Sequence, residues 1–336
     1  MGVQAMTSAS TRPLGRGGLT VGRHTLGTAS IGNLYRAVDD MTAGHVIGSA
    51  WEAGVRYFDT APHYGLGLAE ERLGRGLAAR KRADVIVSTK VGRLLIDTDA
   101  FPGLRDDEGF DVPRTRQRVR DYSRDGVLRS IETSLERTGL DRIDIVLVHD
   151  PDEFYRQAME GAFPALEELR ASGVITSYGA GMNQSAMLTD FVRNTDLDIV
   201  MVAGRYTVLD QTALIDLLPE AEKRSVSVVA AGAFSSGVLA TDRPRGDSHY
   251  HYDAVPAPIL ARVNEIADVC DAHGVTVPAV AAQFALGHPA VSTVCLGASS
   301  EAHVIRNAAL FDVAIPPALW GDLADRGLLA AGVPAP

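Results

Sequence analysis

Cysteine is nearly absent from this chain. Cys270 and Cys295 are the only two in 336 residues, and neither stands in a metal-ligand or redox spacing. That excludes a disulfide scaffold and a cysteine metal centre, and two buried free thiols in a reducing compartment are expected instead. An excess of positive charge is also missing. Against 42 Asp+Glu there are 32 Lys+Arg, a net charge of −10, which argues against a nucleic-acid partner. Basic residues crowd only between Arg114 and Arg129, where Asp121 and Asp125 interleave with them, and the run reads as a solvated loop and helix face. No apolar run is long enough to span a membrane, and Met1 to Ser10 has no basic segment followed by an apolar one. With 46% hydrophobic residues the chain can nevertheless bury a sizeable core. These absences leave a cytoplasmic protein with a small-molecule partner and no metal. Its oligomeric state is not legible. A disordered tail over 1–13 precedes a single domain over 14–336.

What is present is an alternation. Short β-rich runs recur at His24 to Ala29, Tyr57 to Thr60, Val85 to Lys90, Ile143 to His149, Ile175 to Gly179, Ile199 to Ala203, Val226 to Ala231 and Val291 to Leu296. Between them lie longer segments with one apolar stripe, such as Val127, Leu128, Ile131 and Leu135 before Gly139. Parallel sheets with crossover helices need this order, and eight such units favour a closed (β/α)8 TIM barrel in the α/β class. An open flavodoxin-like sheet is the alternative, but it usually has fewer strands and a glycine-rich phosphate turn, for which Gly27 to Gly32 is a weak match. Leu14 to Val21 suits a short N-terminal β-hairpin closing the barrel bottom. Two long stretches, Gly92 to Ser123 and Ser235 to Pro258, follow strands 3 and 7 at the face where barrels build their sites.

Four ionisable groups converge on that face. Asp59, Lys90 and His149 end the second, third and fourth strands, and Tyr64 begins the loop beyond Asp59. A phenol with an ordinary pKa near ~10 exchanges protons poorly at neutral pH, and an adjacent ammonium would pull it down. Lys90 can supply that charge, Asp59 can hold Lys90, and His149 can orient a substrate oxygen. Lys90 as the Schiff-base lysine of a barrel aldolase is the rival, weakened because Asp59 would keep it charged.

Asp59-Thr60-Ala61-Pro62-His63-Tyr64-Gly65, Ser88-Thr89-Lys90 and His149 resemble the motifs of aldo-keto reductases, from about Leu14 to Asn307. The resemblance implies a nicotinamide cofactor, and the tetrad Asp59, Tyr64, Lys90 and His149 with Tyr64 as general acid/base. Lys90 to Leu95, Asp121 to Ser130 and His149 to Asp152 are similar to a narrower branch, the aldose 1-dehydrogenases of L-fucose, L-galactose or D-threo-aldoses together with pyridoxal 4-dehydrogenase. That branch implies oxidation of a hemiacetal to a lactone. Alternatives are NADPH-dependent reduction of small aldehydes or ketones and a nucleotide-sensing partner subunit.

The same resemblance implies cofactor contacts from Gly27, Thr28, Asn183, Phe234, Ser235, Gly237 and Leu239, with Tyr206 stacking on the nicotinamide. Gly297, Ser299, His303, Arg306 and Asn307 would take the adenosine end. Gly297 and His303 stand where NADP-preferring relatives carry cations, so NAD is favoured slightly over NADP, with Arg306 able to compensate. Tyr35, Arg93 and Asp150 are expected in the substrate pocket, with Asp152 near it, whereas the helical spacing of Trp51 places it in the core.

Overall fold

The computed structural model describes residues 11–244, 249–250 and 253–334. Eight parallel strands close into a barrel: β1 His24–Gly27, β2 Tyr57–Asp59, β3 Ile86–Val91, β4 Ile145–His149, β5 Ser177–Met182, β6 Ile199–Ala203, β7 Ser227–Ala231 and β8 Val291–Gly297. Each pairs with its neighbours in sequence order, and β8 closes on β1 through Val294 opposite His24. The fifth strand lies further along the chain than the apolar run Ile175 to Gly179 suggests, because Tyr178 to Gly181 complete its ladder with β4 and β6.

Local chemistry starts and stops the helices. Asp39 caps α1 (Asp40–Glu52) by accepting from the Thr42 amide at 2.7 Å. Ser123 does the same for α3 (Arg124–Thr138), which ends at Gly139 in the left-handed conformation. Between them α2 spans Leu68–Leu77. Their apolar faces pack on outward strand residues such as Phe58, Val87, Val146 and Val148. No single helix among the described residues is long and apolar enough to cross a membrane.

A second, smaller apolar cluster fills the barrel interior: Tyr57, Ile145, Leu147, Ile199, Met201, Val229 and Cys295. Strand alternation puts Asp59 in phase with Tyr57, and His149 in phase with Ile145 and Leu147, so these polar ends point inward rather than toward the helices. The bottom of the barrel is sealed by a hairpin, Arg12–Leu14 with Leu19–Val21, whose Leu14 and Val21 join the interior cluster. Its first strand begins at Arg12, inside the stretch assigned to the disordered tail, because the Arg12 guanidinium bonds the Val291 and Leu286 carbonyls at 2.7 and 2.8 Å. Residues 1–10 of that tail lie outside the described residues.

The long insertion after β3 is more ordered than a solvated loop. Arg93–Asp97 and Arg116–Arg120 form an antiparallel hairpin across the barrel mouth. Arg118 is buried there against Asp106 at 2.5 Å and so departs from the expected solvent face, on which Arg120, Arg124 and Arg129 do lie. The two cysteines are both buried and free.

Candidate active site

Tyr64 owes its position to glycine. A Cβ on Gly65, whose φ is +63°, would sit 2.2 Å from the Gly32 carbonyl oxygen, so only glycine lets these two loops touch. Arg118 and Arg116 then hold the loop by donating to the His63 and Leu66 carbonyls at 3.0 and 2.8 Å. Beneath it Lys90 Nζ contacts Asp59 Oδ2 at 2.6 Å, the Thr60 carbonyl at 3.0 Å and Tyr64 Oη at 3.1 Å. Ser88 Oγ donates to the other Asp59 oxygen at 2.6 Å. Gly181 lies alongside the lysine, where a Cβ would make only ordinary van der Waals contact with Lys90 Cε, at 3.6 Å.

His149 completes the group. Its ring lies edge-on to Tyr64 with centroids 6.0 Å apart, and its Nδ1 is buried with no hydrogen-bond partner among the described residues. Tyr122 Oη donates to the His149 and Asp150 carbonyls at 2.6 and 2.9 Å and so fixes the end of β4. Gly92 makes that possible, since a Cβ on it would meet the Tyr122 ring at 2.1 Å. Asp150 has a left-handed φ of 42° and is paired with Arg93, whose Nη1 also donates to His63 at 3.3 Å.

Burial pushes the Tyr64 phenol up, Lys90 pulls against it, and the net value is about 12. Lys90 therefore acts in the expected direction, but without lowering the phenol below its ordinary range. Burial opposes the charge on Lys90, yet Asp59 and then Tyr64 outweigh it and the ammonium is held more tightly than usual. Burial and then the Arg93 cation hold His149 well below its ordinary value and His63 at about 2, so both imidazoles are neutral. This arrangement can pass one proton through Tyr64 beside a neutral hydrogen-bonding imidazole. The groups line a cleft of about 530 Å³.

A profile of the Aldo/keto reductase family matches residues 25–325. This chain belongs to that family. It is an oxidoreductase of the nicotinamide-dependent kind. A D-threo-aldose 1-dehydrogenase from Pseudomonas sp is 44% identical to it, covering 93% of this chain and 96% of the relative. A pyridoxal 4-dehydrogenase from Microbacterium luteolum is 39% identical over 97% of this chain and 99% of its own. Among solved structures, the holo form of an aldo-keto reductase from Bacillus halodurans superposes with a TM-score of 0.75 at 26% identity, covering 96% of this chain and 97% of that one.

In this aldo-keto reductase a second cleft adjoins the catalytic one, the two sharing Leu34, Tyr35, Asn183, Ala203 and Gly232. Phe234, Ser235, Gly237, Gly297 and Arg306 line it, and so do Ser30 and Ser236. Ser235, Ser236 and Gly237 all have positive φ, at 46°, 60° and 103°. Ser235 and Gly237 donate their amides to the Gly232 and Phe234 carbonyls at 2.8 and 2.9 Å, so the turn closes on itself, and its small residues beside Arg306 give a cleft lining that fits a dinucleotide.

Other expected contacts lie elsewhere. Tyr206 is 1% exposed and packs on Phe284 and His288, so it cannot stack on anything in the cleft. Leu239 is buried in the core, and Thr28 is fully buried with its hydroxyl donating to the Asp59 carbonyl at 3.0 Å. Gly27 pairs with Gly297 at the barrel rim behind the cleft. Asn307 is buried, braced by the Gly297 carbonyl at 3.2 Å and by Arg306 at 3.0 Å. Ser299 and His303 bond each other at 3.2 Å beside the cleft, and Ser300 caps the following helix. Of the substrate-pocket residues, Tyr35 and Asp150 line the catalytic cleft, and Arg93 braces Asp150 from behind. Trp51 packs on Arg56 at 3.6 Å, away from it.

Sequence reasoning passed over four contributors. Glu108 and Phe110 line the cleft from the long insertion, Arg118 braces it, and Arg36 reaches Ser299 at 2.9 Å from the loop after β1. The alternation Arg116, Arg118, Arg120 was a usable strand signal. For Glu108 and Arg36 no local signal exists, because each depends on a contact distant in sequence.

Proposed function

We propose that this aldo-keto reductase oxidises a cyclic aldose hemiacetal at C1 to a lactone. The observation that carries the reading is the buried chain Asp59, Lys90, Tyr64 ending beside neutral His149 in a cleft with a polar rim; the 44% identity to a D-threo-aldose 1-dehydrogenase supports the substrate class. A bound nicotinamide supplies the hydride acceptor. Tyr64 Oη takes the C1 hydroxyl proton, and Lys90 at 3.1 Å stabilises the phenolate on which that step depends. Asp59 keeps the ammonium charged and aimed. His149, uncharged, donates to the substrate oxygen and sets its approach. Asn183, the 232–237 turn and Arg306, which line one cleft, would hold the cofactor.

NAD is the proposed acceptor. Burial and then Arg306 and Arg36 keep His303 below its ordinary value, so the 297–303 turn carries no cation of its own. Arg36 and Arg306 are the two cations that a 2′-phosphate would meet, and the same assay should therefore run with NADP. The test is a panel of L-fucose, L-galactose, D-arabinose and pyridoxal, scored by reduced-cofactor absorbance, with butanal reduction by NADPH as the opposing arm. Aldose oxidation that falls far below butanal reduction overturns the reading. Tyr64→Phe should abolish turnover while NADH binding, followed by fluorescence, stays intact.

A further inference from the structure

Glu108 belongs to the loop between the two strands of the insertion, yet it is held in register with the catalytic residues. Tyr35 donates its amide to the Gly109 carbonyl at 2.9 Å, and Asp111 donates to that of Asn33 at 2.9 Å. Phe110, two residues on from Glu108, packs its ring 6.0 Å from Tyr64 and 5.1 Å from His63. The Glu108 side chain is 42% exposed and lines the same cleft as Tyr64, Lys90, His149 and Asp150.

Glu108 Oε2 accepts from Arg93 and Oε1 from Arg118, both long at 3.4 Å, and the neutral His63 imidazole lies at 3.8 Å. Each of those cations already has a closer carboxylate, Asp150 for Arg93 and Asp106 for Arg118, while Lys90 is matched by Asp59. Farther out, Asp152 and Arg120 act on Asp150 in opposite senses. A carboxylate oxygen has two acceptor positions, so each Glu108 oxygen keeps one beyond its long contact to an arginine. His149 lines the same cleft, which thus offers both an acceptor and an imidazole to a polar ligand.

We propose that Glu108 is a specificity-determining residue, which accepts hydrogen bonds from hydroxyls away from the reacting carbon and repels substrates bearing a carboxylate or phosphate. The proposal rests on the aldose reading and names its substrate class more closely, as neutral and polyhydroxylated. Charge and hydrogen bonding separate in two variants. Glu108→Ala removes both, whereas Glu108→Gln keeps an acceptor and removes the charge.

Three four-carbon aldehydes, erythrose, butanal and succinic semialdehyde, are reduced by wild type and both variants, with thermal midpoints measured in parallel. In Glu108→Ala the erythrose-to-butanal ratio of kcat/KM should fall about tenfold, as expected for one lost hydrogen bond to a charged group, with the change in KM rather than kcat. In Glu108→Gln the succinic semialdehyde-to-butanal ratio should rise about tenfold as repulsion is relieved. Unchanged ratios in both variants overturn the proposal. So does a parallel loss on all three substrates with a lowered midpoint, which would make Glu108 only a tether for the loop. A wild type that oxidises no aldose defeats the preceding section, but the aldehyde ratios still report on Glu108.

Discussion

Removing the charge of Lys90 should separate stability from chemistry at this site. Lys90→Met leaves Asp59 buried with only Ser88 to pair it, and deprives Tyr64 of a cation 3.1 Å away. Breaking a buried ion pair by deleting one partner typically costs about 3–5 kcal/mol, most of it from the stranded charge. At an effective dielectric of about 20, a unit charge at this distance is worth about 5 kcal/mol to the phenolate. At 1.36 kcal/mol per unit that is about 4 pKa units above an already raised phenol. Turnover should then fall on the order of 10³-fold, within the range that general acid–base catalysis contributes. The paired change Asp59→Asn/Lys90→Met removes the stranded carboxylate as well. Urea unfolding should show most of the lost stability restored in the double variant, while cofactor reduction stays at the level of the single one. If Lys90→Met keeps more than about a tenth of wild-type turnover, or if the double variant regains activity with its stability, the assigned role of the ammonium is wrong.

Two further outcomes follow from the geometry around Tyr64. Gly65→Ala forces a Cβ against the Gly32 carbonyl at a positive φ, so unfolding free energy should drop by on the order of 2 kcal/mol and kcat should fall with it; an alanine variant with full turnover refutes the argument that this contact places Tyr64. His63 and His149 are both held below their ordinary value, so their neutral forms stabilise the fold above a pH of about 6.5, and that contribution is lost as pH falls below it toward the folded values, about 2 for His63. The urea midpoint should be level above neutrality and decline steadily on acidification, less steeply in His63→Asn; parallel profiles for the two proteins would count against a buried neutral His63.

Much of the catalytic group is legible in the chain because it obeys short-range rules. β-rich runs of strand length that end in polar residues put Asp59, Lys90 and His149 at strand ends without any coordinates, and capping residues such as Asp39 and Gly139 mark where the helices begin and stop. The alternation alone supports eight units and hence a closed barrel. What the run of letters could not convey is which way each strand end points, since β2 and β4 are apolar on both faces up to their last residue and show no inside or outside by themselves. Closure decides it, by turning Tyr57, Ile145 and Leu147 inward and carrying their phase-mates Asp59 and His149 with them.

The remaining features depend on partners far apart in sequence. Arg118 looked like part of a solvent-facing basic run, but Asp106 and the His63 carbonyl make it a buried brace. Tyr206 looked available for stacking, and the helix bearing Phe284 covers it. The phenol of Tyr64 seemed due for a lowered pKa from its neighbour alone, whereas the enclosure of the cleft, which no spacing of residues encodes, costs its charged form more than Lys90 returns. Composition and periodicity thus determine the scaffold and the identity of its reactive groups, because propensity and capping act over a few residues. Orientation, burial and electrostatic balance are decided only when the barrel closes, because they are sums over neighbours that the closed barrel alone brings together.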